Sequence, residues 1–77
     1  MMYLRIRDLR EDADLTQKQV AEYLHGNQSN YSKTERGLLE LSLEDAAKLA
    51  QFYKTSVDYI IGLTDVREPY PKSHRKQ

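Results

Sequence analysis

Apolar residues are spread along this chain as singles and pairs, separated by charged and amide side chains. They recur three, four and seven positions apart, which is the spacing of one side of an α-helix. The pattern predicts an all-α domain of five helices over residues 1–64. After Thr64 the pattern stops, and residues 65–77, with two prolines and a basic end, are predicted to form a flexible tail.

Four of the predicted helices begin at a residue that can cap them. The segment 16–19 has the Thr-x-x-Gln form of a capping box, in which each side chain satisfies a backbone N–H of the other residue. Asn27, Ser42 and Ser56 are good N-cap residues for the next three helices. Gly37 suits the position just after the third helix. These signals place the helix boundaries.

The apolar side of each helix predicts its buried residues. In the first helix these are Ile6, Leu9 and Ala13. In the second they are Val20, Ala21, Tyr23 and Leu24. In the fourth they are Leu43, Ala46, Ala47, Leu49, Ala50 and Tyr53. A chain this small closes a core only if most of its apolar residues share it.

The third helix, within the stretch HGNQSNYSKTERG at 25–37, has a single large apolar residue, Tyr31. At about 100° per residue its side chains fall into two arcs. The inner arc holds Asn30, Tyr31, Thr34 and Glu35. The outer arc holds only hydrogen-bonding groups, from Gln28, Ser29, Ser32, Lys33 and Arg36. Such a helix gains little from burial, which indicates that its outer side has a polar partner.

A turn of about three residues, His25-Gly26-Asn27, joins the second and third helices. This is the spacing of a helix-turn-helix. In that arrangement the second helix of the pair lies in the major groove of DNA. Its outer side must then carry donors and acceptors, because base edges offer the same groups. The polar arc of the third helix meets this requirement.

Two motifs carry a resemblance to a known family: L-T-Q-x-x-x-A-E-x-L over residues 15–24, and S-K-x-E-R-G over residues 32–37. Together they resemble the Cro/phage-repressor type helix-turn-helix, the lambda-repressor-like five-helix domain of bacterial and phage regulators. The similarity runs from Ile6 to Asp65. It implies a sequence-specific transcriptional regulator, a repressor rather than an activator, that binds double-stranded DNA as a homodimer on an inverted-repeat operator.

The resemblance also assigns roles to individual positions. It implies contacts to bases or the adjoining backbone by Gln28, Ser29, Ser32 and Lys33. It implies contacts to DNA phosphates by Gln17, Asn27 and Arg36. Arg10 and Glu35 match a pair that in some members forms a partly buried ion pair. The dimer contact is implied near the fifth helix, at Val57, Tyr59, Ile60, Ile61 and Leu63, although these residues fit core burial equally well.

The sequence departs from the family pattern in three places. The turn has His25-Gly26 where the family usually has glycine and then an aliphatic residue. The loop after the third helix is Leu38-Leu39-Glu40-Leu41, although it is often basic or polar in the family. Lys54 stands where glycine is common. The second departure removes expected phosphate contacts and brings a carboxylate close to DNA.

Charge is the main observation against DNA binding. The net charge is zero, whereas nucleic-acid-binding domains are usually basic, so binding must rest on a local patch. Two alternatives therefore stay open. One is a protein-interaction module, such as an antitoxin or anti-repressor, that retains a helix-turn-helix and binds a protein partner. The other is a nonspecific DNA binder that relies on the basic residues of 66–77.

Composition excludes several other classes. There is no cysteine, and no apolar run approaches the ~20 residues of a membrane span, so we expect a cytoplasmic protein without disulfides. His25 and His74 have neither cysteine partners nor helical spacing, so we expect no metal site. We expect no cofactor and no enzymatic activity, because a small helical domain offers no deep pocket.

Overall fold

The computed structural model describes residues 4–69, and this part of the chain holds five α-helices and no strand. They are α1 (Ile6–Asp12), α2 (Gln17–Tyr23), α3 (Gln28–Glu35), α4 (Leu43–Phe52) and α5 (Val57–Ile60). The predicted all-α, five-helix fold is confirmed. Residues 70–77, which make up most of the predicted tail, and residues 1–3 lie outside the described residues.

The four predicted caps are all present. At the start of α2 the capping box is complete, since Gln19 N–H donates to Thr16 Oγ1 (3.1 Å) and Thr16 N–H donates to Gln19 Oε1 (2.8 Å). The side chains of Asn27, Ser42 and Ser56 each accept from the backbone N–H three residues later, at 2.8, 3.1 and 3.0 Å. A cap of this kind contributes roughly 1 kcal/mol, which matters most for helices this short.

All five helices contribute to one core. Its largest fully buried side chains are Ile6, Leu9, Val20, Leu49 and Ile60. Tyr31 and Tyr53 complete the cluster from α3 and from the end of α4, and partly buried leucines surround it. Because each helix supplies only a few buried residues, none of them is stable without the others.

Four residues that the apolar pattern placed in the core lie outside it. Ala13 is exposed and forms the C-cap of α1. Ala47 is exposed on the flank of α4. Leu43 is 79% exposed, because it opens α4 beyond the edge of the core. Tyr23 is also partly exposed, and its ring packs on Phe52 with the centroids 4.5 Å apart.

Arg5 joins the start of the domain to its end. Its backbone N–H donates to Ile60 O (2.8 Å), and its guanidinium donates to Tyr59 O (2.8 Å) and Thr64 O (2.6 Å). The guanidinium also pairs with Asp65 and lies 4.3 Å from the centre of the Tyr59 ring. These contacts hold the segment that follows α5 against the body of the domain.

The turn after α4 requires a left-handed residue. Lys54 has a φ of +55°, and the backbone bonds Thr55 N–H to Ala50 O (2.8 Å) and Lys54 N–H to Gln51 O (3.3 Å) close the helix as a Schellman motif. A side chain with a Cβ is disfavoured in this conformation, and glycine is not. The lysine at this position therefore costs stability.

We predict that Lys54→Gly raises the free energy of unfolding by about 0.5–1 kcal/mol, because relief of backbone strain outweighs the added freedom of the unfolded chain. Urea unfolding followed by circular dichroism measures it. Lys48→Gly, in the middle of α4, is the matched control and should lose about 1 kcal/mol. A loss of stability at both positions would contradict the strain argument.

Candidate nucleic-acid interface

The turn between α2 and α3 comprises the predicted residues 25–27 and also Leu24, the C-cap of α2, and it contains an unusual residue. His25 takes the left-handed position with a φ of +60°, and Gly26 N–H closes α2 by donating to Ala21 O (2.9 Å). Asn27 then caps α3. This chain therefore makes the turn with histidine at the position where glycine is expected, and the two helices pack against each other as a helix-turn-helix.

The outer side of α3 is exposed and polar. The side chains of Gln28, Ser29, Ser32 and Arg36 line a shallow concavity together with Gln17 from the start of α2. Lys33 and Asn27 are exposed outside this concavity. On the inner side Tyr31 and Thr34 are buried, whereas Asn30, expected to face inward, is exposed. Five of the seven residues expected to contact DNA thus share one surface.

Gln17 is held in this surface by a hydrogen bond that the sequence did not indicate. Its Nε2 donates to Glu35 Oε1 at 3.1 Å, which ties the first residue of α2 to the last residue of α3. A side-chain amide nitrogen carries two hydrogens, so Gln17 retains a second donor. That donor lies at a helix N-terminus, where backbone N–H groups also favour an anion.

An ion pair fixes α3 to α1. Arg10 Nε donates to Glu35 Oε2 (2.7 Å) and Arg10 Nη2 to Glu35 Oε1 (3.2 Å), while Arg10 Nη1 donates to Leu15 O (2.9 Å). The side chains are 13% exposed for Arg10 and 2% exposed for Glu35. A two-pronged pair of this geometry allows little rotation. It therefore sets the position of α3 relative to α1 and to the start of α2.

Comparison with known proteins decides the family. The helix-turn-helix family model matches residues 6–60. The chain belongs to the Cro/phage-repressor type helix-turn-helix family. Its five helices are consistent with the lambda-repressor-like fold of that family. The comparison with solved structures returned no significant match.

Three curated proteins are similar to this chain. The chain is 42% identical over 72 residues to the uncharacterized HTH-type transcriptional regulator YobD of Bacillus subtilis, covering 94% of this chain and 62% of that protein. It is 34% identical over 62 residues to the B. subtilis HTH-type transcriptional regulator ImmR, covering 80% of this chain and 49% of that protein. It is 34% identical over 61 residues to the cryptic phage CTXphi transcriptional repressor RstR of Vibrio cholerae, covering 79% and 55%. The chain thus spans less than two thirds of the length of each relative.

Within this helix-turn-helix domain, the environment of Glu35 favours its charged form. Burial alone would raise the pKa of Glu35, but hydrogen bonds from Arg10 and Gln17, with the Tyr31 hydroxyl nearby, bring that pKa below its ordinary value. The hydrogen bond to Glu35 in turn raises the pKa of Arg10. Burial, together with the Glu35 carboxylate, raises the pKa of Tyr31, so the phenol stays neutral. The cluster holds one cation and one anion at neutral pH.

The residues expected at a dimer contact differ in how far the structure buries them. Ile60 is fully buried in the core of its own chain, so it is a core residue and is not available to a partner. Val57, Tyr59 and Ile61 are half-buried, and Leu63 is 71% exposed. Any contact made by this region must therefore use the residues on either side of Ile60.

Two further observations concern the described residues as a whole. In residues 4–69, no group of histidine, cysteine, aspartate or glutamate side chains is arranged to hold a metal ion. The helices described here are also too short and too polar to cross a membrane.

We predict that Arg10→Met lowers the free energy of unfolding by about 2–4 kcal/mol at pH 7, because it leaves the buried Glu35 carboxylate without its cation. Chemical unfolding measures this. The matched control is Arg7→Met, which removes an exposed helical pair with Glu11 and should change stability by less than about 0.5 kcal/mol. Equal effects of the two substitutions on the free energy of unfolding would mean that the Arg10–Glu35 pair does not stabilise the fold.

The same pair predicts a dependence on pH. Because the folded-state pKa of Glu35 lies below its unfolded value, its stabilising contribution is present above about pH 4.3 and is lost as the pH falls through the folded pKa. In Arg10→Met, burial favours a protonated Glu35. We therefore expect the stability difference between the variant and the wild type to shrink below about pH 4. A difference that stays constant from pH 7 to pH 3 would contradict this expectation.

Proposed function

We propose that this chain is a DNA-binding transcriptional regulator that reads a specific sequence by placing α3 in the major groove. One observation carries the proposal: the outer side of α3 and Gln17 form a single exposed polar surface, and the buried Arg10–Glu35 pair fixes its position. A helix in the major groove needs both properties, donors and acceptors on its outer side and a rigid attachment behind it.

The proposed base contacts follow from the chemistry of the exposed side chains. The amide of Gln28 can bond an adenine through its N6 and N7 together, and Lys33 can donate to guanine O6 or N7. The hydroxyls of Ser29 and Ser32 can donate or accept, so they fit several bases. These four residues would supply the sequence preference.

The proposed phosphate contacts lie at the borders of this surface. Gln17 offers its second amide hydrogen beside the N-terminus of α2, and Arg36 offers a guanidinium at the end of α3. The side-chain oxygen of Asn27 is occupied by its capping bond, so its amide nitrogen is the group left for a phosphate. Such contacts orient a protein on the duplex and carry no sequence information themselves.

We further propose that two copies act together as a repressor. One recognition helix covers about 4–5 base pairs, which are too few to define a site among ~10⁶ or more alternatives. Two copies reading half-sites about one helical turn apart would supply the missing specificity. An operator occupied in this way would exclude RNA polymerase. The similarity of this chain to RstR, a transcriptional repressor, supports the assignment as a repressor.

A second candidate function is a protein-interaction module that retains the helix-turn-helix, such as an antitoxin or anti-repressor. Two observations favour it: the zero net charge and the exposed leucines of the α3–α4 loop, where basic residues would assist DNA binding. A module of this kind would bind a protein partner more tightly than any DNA sequence.

We expect selection from random duplex DNA at about 100–150 mM salt to enrich an inverted repeat with half-sites about one helical turn apart. At this salt concentration nonspecific phosphate contacts are weak, so enrichment reports base reading. Sequencing of the bound fraction is the measurement. Binding that vanishes as salt rises, with no enriched motif, would contradict sequence-specific reading and would favour the protein-interaction module or the nonspecific DNA binder.

We predict that Gln28→Ala and Lys33→Ala each relax base preference at one position of the selected site, costing about 1–3 kcal/mol for a bidentate contact. Gln51→Ala and Lys48→Ala, which remove the same residue types from α4, are the matched controls and should bind as the wild type. Titrations against the selected site and its single-base variants measure both. Uniform weakening on every sequence would mean that Gln28 and Lys33 touch only phosphates.

A further inference from the structure

An apolar groove lies next to the end of α3 and shares Arg36 with the polar surface of that helix. We call it the leucine groove and define it by Leu4, Leu39, Leu41, Ala46, Val57 and Ile61, with Leu38 and Leu43 as its most exposed residues. Its volume is about 710 Å³. Monomeric proteins rarely leave a large contiguous apolar surface in water, so we expect a partner surface to cover the groove.

We propose that the leucine groove is the surface through which two copies of this chain dimerise, with Leu43 and Leu38 of each copy inserted into the groove of the other. This proposal deepens the proposed function and rests on its dimer. It places the main contact at the α3–α4 loop and the first turn of α4. In this interface α5 takes part through Val57 at its start and Ile61 directly after its end.

The groove and its most exposed residues can complement each other. Leu43 is 79% exposed and Leu38 is 65% exposed. The hollow beside them is formed by neighbouring residues of the α3–α4 loop and α4, together with Leu4, Val57 and Ile61. A surface that carries both a knob and a hollow can pair with itself around a two-fold axis, since each knob meets the hollow of the partner. The leucine groove therefore already contains the matching surface that a second copy requires.

The groove carries little charge. Among residues 4–69, the ionisable side chains that line it are Glu35, Arg36 and Glu40. Glu35 is already paired with Arg10, and Arg36 lines the polar surface of α3 as well. Glu40 alone is not enough to select a strongly charged partner. An apolar partner surface bordered by a few polar groups, as at the core of a homodimer interface, is the better match.

The groove is attached directly to the proposed recognition helix. The backbone N–H groups of Leu38 and Leu39 both donate to Lys33 O, at 2.8 and 3.4 Å, so this edge of the groove is fixed to the last turn of α3. A dimer contact at this edge would hold the two copies of α3 at a defined separation. The half-site spacing of an operator would then follow from how the leucines pack.

The experiment measures self-association by sedimentation equilibrium of the wild type, Leu43→Gln, Leu38→Gln and the double variant. Glutamine is polar, is one atom longer than leucine and adds no charge that would itself alter DNA binding. Since both leucines are exposed, their replacement should leave the stability of the monomer unchanged when it is measured at a concentration well below the dimer dissociation constant. Leu63→Gln is the matched control, because Leu63 is 71% exposed and follows α5 without lining the groove.

We expect Leu43→Gln to weaken dimerisation by about tenfold or more, because the symmetric interface loses two buried leucines. The double variant should weaken it further, and Leu63→Gln should stay within about threefold of the wild type. On the selected operator the double variant should lose tight binding to the full inverted repeat. It should keep the base preference of the wild type on a single half-site.

Several outcomes would overturn the proposal. A dimer that persists in the double variant, or that dissociates in Leu63→Gln alone, would move the interface elsewhere and leave a dimeric regulator in place. A wild-type chain that remains monomeric at about 0.5 mM would leave the groove to a different protein. The base preference of a single half-site is measured separately, so failure of the groove proposal is distinguishable from failure of DNA reading.

Discussion

The buried carboxylate of Glu35 is the constraint on which the rest of this domain depends. A charge with 2% of its side chain exposed is strongly unfavourable unless cations and donors surround it. Here Arg10 arrives from α1 and Gln17 from α2, so satisfying one anion on α3 requires three helices to be in place. Other arrangements of these helices would leave the carboxylate unpaired. The free energy of burying an unpaired charge therefore favours the observed geometry.

This arrangement explains how α3 can be polar on its outer side and still be held firmly. The helix buries only Tyr31 and Thr34, so apolar burial contributes little to its attachment. The Asn27 cap and the Glu35 cluster hold it at its two ends. The attachment of α3 therefore does not depend on its outer side chains, at residues 28, 29, 32, 33 and 36. They are available for recognition because stability is supplied from the side that faces α1.

The zero net charge and the exposed leucines of the α3–α4 loop have a common explanation, which is that polar and apolar groups occupy different parts of the surface. The outer side of α3 and the start of α2 present polar groups, whereas the exposed leucines Leu38, Leu39 and Leu43 lie between the end of α3 and the first turn of α4. A strongly basic surface would hold DNA through its phosphates alone and would raise nonspecific binding. In the proposed regulator, specificity comes instead from a few base contacts that a second copy repeats at a fixed distance.

The sequence by itself determined the features that depend on residues close together in the chain. The four caps join residues three positions apart, the helix-turn-helix lies within about twenty residues, and the two arcs of α3 follow from helical periodicity. Only the tertiary structure decided which apolar residues the core covers. It left Leu43, Ala13 and Ala47 outside and placed Ile60 inside. The Gln17–Glu35 bond and the Arg5 contacts join residues 18 and 54–60 positions apart. No local pattern encodes such pairs, because they exist only once the helices have packed.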